Sequence, residues 1–229
     1  MTEPSPATSA ARTPTPRRPP VIGLAGGIGS GKSEVAKFLA AKGAVVSDSD
    51  TQAKALLREP GIADVLTRWW GDAILGTDKL PDRARLAAIV FKDPAQRKRL
   101  EDLIHPILHS QRRRAILNAS KTSPPAPLFI IDAPLLFEAG LHRECDAVIF
   151  VDAPRAAQLE RVKANRGWTD EELARREAAQ LPLDAKKSRS DFMIENADDG
   201  QGSSSNLKRQ IDELWPLLTS IRPTRRRRA

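Results

Sequence analysis

Eight consecutive residues, Gly26-Gly27-Ile28-Gly29-Ser30-Gly31-Lys32-Ser33, have the types and the spacing to handle phosphate. They satisfy G-x-x-x-x-G-K-[ST], a loop whose backbone N–H groups curl around phosphate oxygens while the following helix adds the positive end of its dipole. Glycine permits so tight a path because it has no Cβ. In such a loop Lys32 reaches the β- and γ-phosphates and the Ser33 hydroxyl ligates Mg²⁺. Gly29, Ser30, Gly31, Lys32, Ser33 and Glu34 are therefore the candidate nucleotide-binding residues, Ser33 is the candidate metal ligand, and ATP with Mg²⁺ is the implied pair. A flexible glycine-rich turn is the alternative, but Val21 to Ala25 reads as a buried strand before the loop. Val35, Phe38 and Leu39 give helical spacing after it.

Two further groups carry charge at places where a ligand would meet them. Ala44 to Val46 reads as a short buried strand ending in Ser47-Asp48-Ser49-Asp50. In a parallel α/β sheet, ligands gather outside the carboxyl ends of the strands, so a phosphoryl acceptor belongs beside this cluster. Ser49 and Asp50 also suit a helix N-cap. Leu128 to Asp132 is a second apolar run ending in an acid, and two readings stay open for Asp132: a carboxylate of the Mg²⁺ shell or a simple strand-end cap. Arg161, Lys163 and Arg166, followed by Arg175, Arg176 and Gln180, suit a lid over roughly 163–188 that closes arginines on phosphates. A solvated basic helix face is the plainer reading.

The elements that must position these groups point to one α/β domain over residues 21–220, a P-loop NTPase-type parallel sheet flanked by helices. Strands are expected at 21–25, 44–46, 128–132, 147–152 and 192–194. Between the second and third, residues of about 51–120 read as helical throughout, an insert that either covers an acceptor or is ordinary crossover packing. Within it Asp93-Pro94 marks a helix start, and Pro106 predicts a kink. Thr169 with Glu172 predicts a capping box, Asp199 to Ser205 a flexible turn, and Leu207 to Leu218 a closing helix. Residues 1–20 and 221–229 are expected to be disordered tails, the first a plain extension or the product of a misplaced start codon.

The formal charge of the 229 residues is +8, which invites a nucleic-acid reading until its distribution is considered. Residues 1–20 carry three arginines against one glutamate and residues 221–229 carry five arginines, leaving +1 for everything between. No specific nucleic-acid partner is expected. The single cysteine, Cys145, excludes an internal disulfide and a cysteine-rich zinc site, and reads as a half-buried thiol in a reducing cytosol. No apolar run approaches the ~20 residues that span a bilayer. The expectation is a cytoplasmic protein, without a membrane partner, that is a monomer or weak oligomer.

The ordered set of segments resembles the dephospho-CoA kinase family over nearly all of Val21 to Leu218. The loop G-G-I-G-S-G-K-S matches, V-V-S-D-S-D at 45–50 is similar to the family's V-x-D-x-D stretch, and His105-Pro106 matches its H-P. Pro134-Leu135-Leu136-Phe137-Glu138 is similar to its P-L-L-x-E, Gln158-Leu159-Glu160-Arg161 with Arg166 to its lid entry, and Phe192 to Asn196 to its final strand. The resemblance implies ATP-dependent phosphorylation of the ribose 3'-hydroxyl of 3'-dephospho-CoA, the last step of coenzyme A synthesis. It implies Lys32, Asp50 and Arg161 as catalytic residues, with Asp50 orienting the hydroxyl, Asp48 as its understudy, and Arg161 stabilising the transferring phosphoryl group with help from Arg166. His105 would be an acceptor-side or helix-packing residue, Pro134 to Glu138 would line the acceptor site, and Asn196 would lie near adenine. The chain departs from the family at Glu34, where Thr is usual, at Ser190, and at Ala197. Another nucleoside-monophosphate-type kinase is the nearest competing activity. A GTPase is disfavoured because N-K-x-D does not occur.

Overall fold

The computed structural model describes residues 18–197 and 203–223. Five strands, β1 (Val21–Gly26), β2 (Val45–Asp48), β3 (Phe129–Asp132), β4 (Ala147–Asp152) and β5 (Phe192–Glu195), form one sheet in the order β2-β3-β1-β4-β5, every pair parallel. Strands buried on both faces need continuous apolar runs, and β1, fully buried along its length, lies at the centre. Its register places Leu24 opposite Asp132 of β3, and Asp132 in turn opposite Asp48 of β2. The loop after Gly26, Asp132 and Asp48 thus leave the sheet at one edge.

Alternation along β1 splits the core. Ile22 and Leu24 face α1 (Lys32–Ala41) and the closing helix, packing with Val35, Leu39, Ile149, Ile194, Leu207 and Ile211. Val21 and Ala25 face the other way, toward Ile116, Phe129, Ile131, Leu136 and Phe150. Fully buried side chains such as Leu24, Leu39 and Ile130 contribute roughly 1.5–3 kcal/mol each by leaving water.

Between β2 and β3 run α2 (Ser49–Leu56), α3 (Pro60–Trp70), α4 (Arg83–Val90) and α5 (Pro94–Ala119). They carry a small core of their own, Leu66, Ile74 and Leu86 with Trp69, Trp70, Leu100 and Leu103 around it. Asp93 caps α5 by accepting the Ala95 N–H at 2.8 Å. Pro106 sits inside α5 without ending it. After β4 come α6 (Arg155–Arg166), α7 (Asp170–Glu177) and α8 (Leu183–Lys187), and α9 (Ser203–Ser220) closes the described chain.

Four sequence expectations shift. The cap of α2 is Asp48, one residue before Ser49, because its Oδ1 accepts the Thr51 N–H at 3.0 Å. Only half of the capping box at α7 forms: Thr169 Oγ1 accepts the Glu172 N–H at 3.3 Å, while the Glu172 carboxylate turns to Arg175 and Arg176 instead of reaching back. Contacts with the domain begin before 21, since Arg18 makes a two-pronged ion pair with Asp146 at 2.5 and 2.8 Å. Ile221 packs on the core, so the closing segment also runs past 220. The tail expectations for 1–17 and 224–229, and the turn at 198–202, lie outside the described residues.

Candidate active site

The phosphate loop joins the end of β1 to the start of α1, and its path admits glycine alone at two places. Gly29 has φ 75° and a Cβ there would sit 2.7 Å from the Gln158 carbonyl oxygen; Gly31 has φ 89° and its Cβ would collide with Asn196 Nδ2. Gly31 is also the N-cap of α1, and no side chain caps that helix. Its first-turn N–H groups therefore point at the loop's concave side, the arrangement that binds anions. Ser30 Oγ is buried there without a hydrogen-bond partner among the described residues.

Lys32 opens α1, and its Nζ donates to the carbonyl oxygens of Gly27 at 2.8 Å and Gly26 at 3.2 Å. Although part of the side chain is accessible, protein crowds the ammonium. That desolvation lowers its pKa to about 8, with Asp132 and Glu138 opposing the shift and Lys186 and Arg166 adding to it. Glu34 occupies the first helical turn, where an acid complements the helix dipole.

Facing Lys32 are the carboxylates of the neighbouring strand ends. Burial raises the Asp132 pKa; Lys32 pulls it back, and Asp48 and Asp50 push it up further. Ser33 Oγ lies 3.5 Å from Asp132 Oδ2, a long contact. Asp48 is occupied as a helix cap: burial alone would raise its pKa, but bonds from the Thr51 N–H and hydroxyl, the latter at 2.7 Å, hold it below the usual range. Asp50 is exposed in the first turn of α2. A hydroxyl and an acid strained by like charges fit a magnesium ion, which keeps most of its waters and takes only one or two protein oxygens. Among the described residues no group of three or more His, Cys, Asp or Glu could hold a metal alone.

Arg161 bonds directly to the loop. Its Nη1 donates to the carbonyl oxygens of Gly29 at 3.3 Å and Ser30 at 3.4 Å, and its Nη2 to Asn196 O and Oδ1 at 3.2 and 3.3 Å. Asn196 adds its own bond from Nδ2 to Ser30 O at 3.0 Å. The expectation set Arg161 on the transferring group; here its donors are taken up by the loop's carbonyl oxygens and Asn196. The charge of Arg166, at the end of α6, reaches Lys32, and Arg166 and Arg176 both lie over the Trp168 ring, at 4.7 and 4.1 Å. Between them Gly167 caps α6 with φ 66°.

This geometry belongs to many phosphotransferases, and similarity to known proteins narrows it. A family profile described as dephospho-CoA kinase matches residues 20–201. The chain belongs to the dephospho-CoA kinase family. A dephospho-CoA kinase of Anaeromyxobacter dehalogenans is 41% identical over 91% of this chain and 95% of its own length, and one of Synechococcus sp. (strain CC9902) is 40% identical over 84% and 94%. A Thermus thermophilus protein of known structure superposes with a TM-score of 0.73 at 36% identity, covering 88% of this chain and 99% of its own. A Campylobacter jejuni dephospho-CoA kinase gives 0.63 at 23%, covering 85% and 96%, and supports the fold.

Other expected residues of this family member fall in different surroundings. His105 is exposed on α5, so it is not a helix-packing residue. Cys145 is half-buried beside Gly23, as expected for an inert thiol. Glu138 is held by Lys186, which is 1% exposed, and burial raises its pKa less than Lys186 and the Leu181 N–H lower it. Nothing in the polar run Asp184 to Ser190 marks Lys186 as buried, because its partner lies 48 positions away. Gln158, also nearly buried, donates to Ala153 O at 2.8 Å and presents its own carbonyl to Gly29.

Proposed function

We propose that this kinase-family protein transfers the γ-phosphoryl group of ATP to the ribose 3'-hydroxyl of 3'-dephospho-CoA, giving coenzyme A and ADP. The observation that carries the reading is the uncapped glycine cradle of α1 set against Asp132 at the end of β3 and Asp50 in the first turn of α2. Backbone N–H groups of 29–33 and Lys32 bind the β- and γ-phosphates. Ser33 and Asp132 would hold Mg²⁺, which supplies neutralisation of phosphate charge. Asp50 accepts a hydrogen bond from the 3'-hydroxyl and aims its oxygen at the γ-phosphorus. As that O–P bond forms and the bond to the β–γ bridging oxygen breaks, the hydroxyl proton passes to Asp50 and then to water. Asp48, already bonded to Thr51, orients α2. Lys32 and, from the lid, Arg166 balance the charge gathering on the leaving diphosphate. Arg161 and Asn196 keep the loop in shape. The acceptor lies between the helical insert and Pro134 to Glu138.

Purified protein offered Mg·ATP with 3'-dephospho-CoA, AMP, CMP or shikimate tests the assignment; faster turnover of any other acceptor overturns it. Asp50→Asn is expected to lower kcat at least about 100-fold while ATP affinity stays within about threefold, and wild-type turnover would remove Asp50 from the mechanism. The lone thiol supports a cytoplasmic setting, and we read the protein as a monomer or weak oligomer without a specific nucleic-acid partner. No described helix is long and apolar enough to cross a membrane.

A further inference from the structure

One buried ammonium, absent from the transfer steps above, sits where three segments meet. Lys186 Nζ donates to Gln180 Oε1 at 2.8 Å and pairs with Glu138 Oε1 at 2.8 Å, and the same Glu138 oxygen accepts the Leu181 N–H at 3.0 Å. Glu138 belongs to the loop that leaves the carboxyl end of β3. Gln180 and Leu181 belong to the strap between α7 and α8, where the lid returns to the sheet. The phosphate loop is the third party: Leu183, at the start of α8, lies against Gly27, where a Cβ would come within 3.4 Å of it. Leu181 and Leu183 pack with the buried Leu136 and Phe137 that flank Glu138.

An apolar side chain of similar size would fill this space without a desolvation cost, so packing alone does not call for a charge. What an ammonium adds is direction: its donors fix two acceptors in defined positions, and losing one partner leaves the other buried and uncompensated. We propose that Lys186 is a positioning residue of the transfer site, whose buried ammonium ties Glu138 of the acceptor loop to the lid exit at Gln180 and so sets lid and acceptor as one piece beside the phosphate loop. This rests on the reading of Pro134 to Glu138 as the acceptor side and of about 163–188 as the lid.

A double-mutant cycle on the full-length protein tests it, with KM for each substrate, kcat, and ATP binding without acceptor measured for Lys186→Met, Glu138→Ala and the pair. Each single change is expected to raise KM for dephospho-CoA and lower kcat, both about tenfold, with ATP affinity within about threefold. The double variant is expected to be no worse than the poorer single, because both remove one tie. Additive losses, an equal loss of ATP affinity, or a lower melting temperature with unchanged kinetics would each overturn the proposal. If Lys186→Met does not fold, Gln180→Ala carries the test: acceptor KM rises about threefold, and an unchanged value overturns the tie. Failure of the wild type on dephospho-CoA would strike the acceptor assignment alone, and the cycle would then be run with the acceptor that is turned over.

Discussion

Lys32 shows how one side chain can be tuned by its enclosure. Among the described residues its ammonium donates to the carbonyl oxygens of Gly26 and Gly27, and it is crowded enough that its pKa falls to about 8. Bound triphosphate favours the charged form, so above pH 8 binding must take up a proton. ATP affinity at fixed Mg²⁺ is expected to fall toward tenfold per pH unit between about 8 and the higher pKa of the bound state. Lys32→Arg, whose guanidinium does not titrate there, is expected to flatten that limb. Calorimetry from pH 7 to 9.5 measures both, and a wild-type affinity that stays level to pH 9.5 would contradict the enclosure argument. The folding linkage runs the other way. With a native pKa below the unfolded 10.5, the unfolded chain binds the extra proton between the two values. Relative to Lys32→Met, stability of the nucleotide-free protein should therefore rise with pH across that window.

At the scale of elements, α6 and the residue that follows β5 bond to the phosphate loop, and the question is what Arg161 does for the reaction. Its four acceptors are backbone or side-chain oxygens of Gly29, Ser30 and Asn196, so it shapes the cradle before any phosphate arrives. Arg161→Lys, with a single compact ammonium that cannot span those oxygens, is expected to raise KM for ATP about tenfold with kcat nearly intact. A group acting on the transferring phosphoryl would show the reverse, a fall in kcat at constant KM, and steady-state kinetics separate the two. The case also marks what was legible in the chain. Apolar runs announce five strands because buried parallel strands need them, and glycine spacing announces the cradle because φ near 75–90° admits little else. Asp132 follows from ending a strand, and Asp50 from lying just past one, in the first turn of α2. Motif spacing identifies Arg161 as important but carries no information on which way a long, flexible side chain points. Lys186 gives no signal at all, since its burial is decided by Glu138 from another segment.

Across the whole molecule, the sheet is closed at the amino end of β1 by a contact that composition hides. Arg18 lies in a proline- and arginine-rich opening stretch that reads as a tail, yet its guanidinium grips Asp146, whose side chain is 1% exposed. Asp146 Oδ2 also accepts the Val21 N–H at 2.8 Å, while the Asp146 N–H donates to Val21 O at 2.7 Å. The pair therefore fixes where β1 enters beside β4, and β1 carries the phosphate loop at its other end. Because Arg18 is 22% exposed, water screens part of the loss when it is removed, and Arg18→Ala is expected to cost roughly 2–3 kcal/mol, below the 3–5 kcal/mol for breaking a fully buried pair. Asp146→Asn keeps an oxygen for the Val21 N–H and is expected to cost less. Urea denaturation measures both. The loop lies at the far end of the six-residue β1, so KM for ATP in the folded Arg18→Ala protein should stay within about twofold of wild type. An unchanged midpoint would return residues 18–20 to the tail, and a raised KM would mean that the register of β1 is transmitted to the cradle.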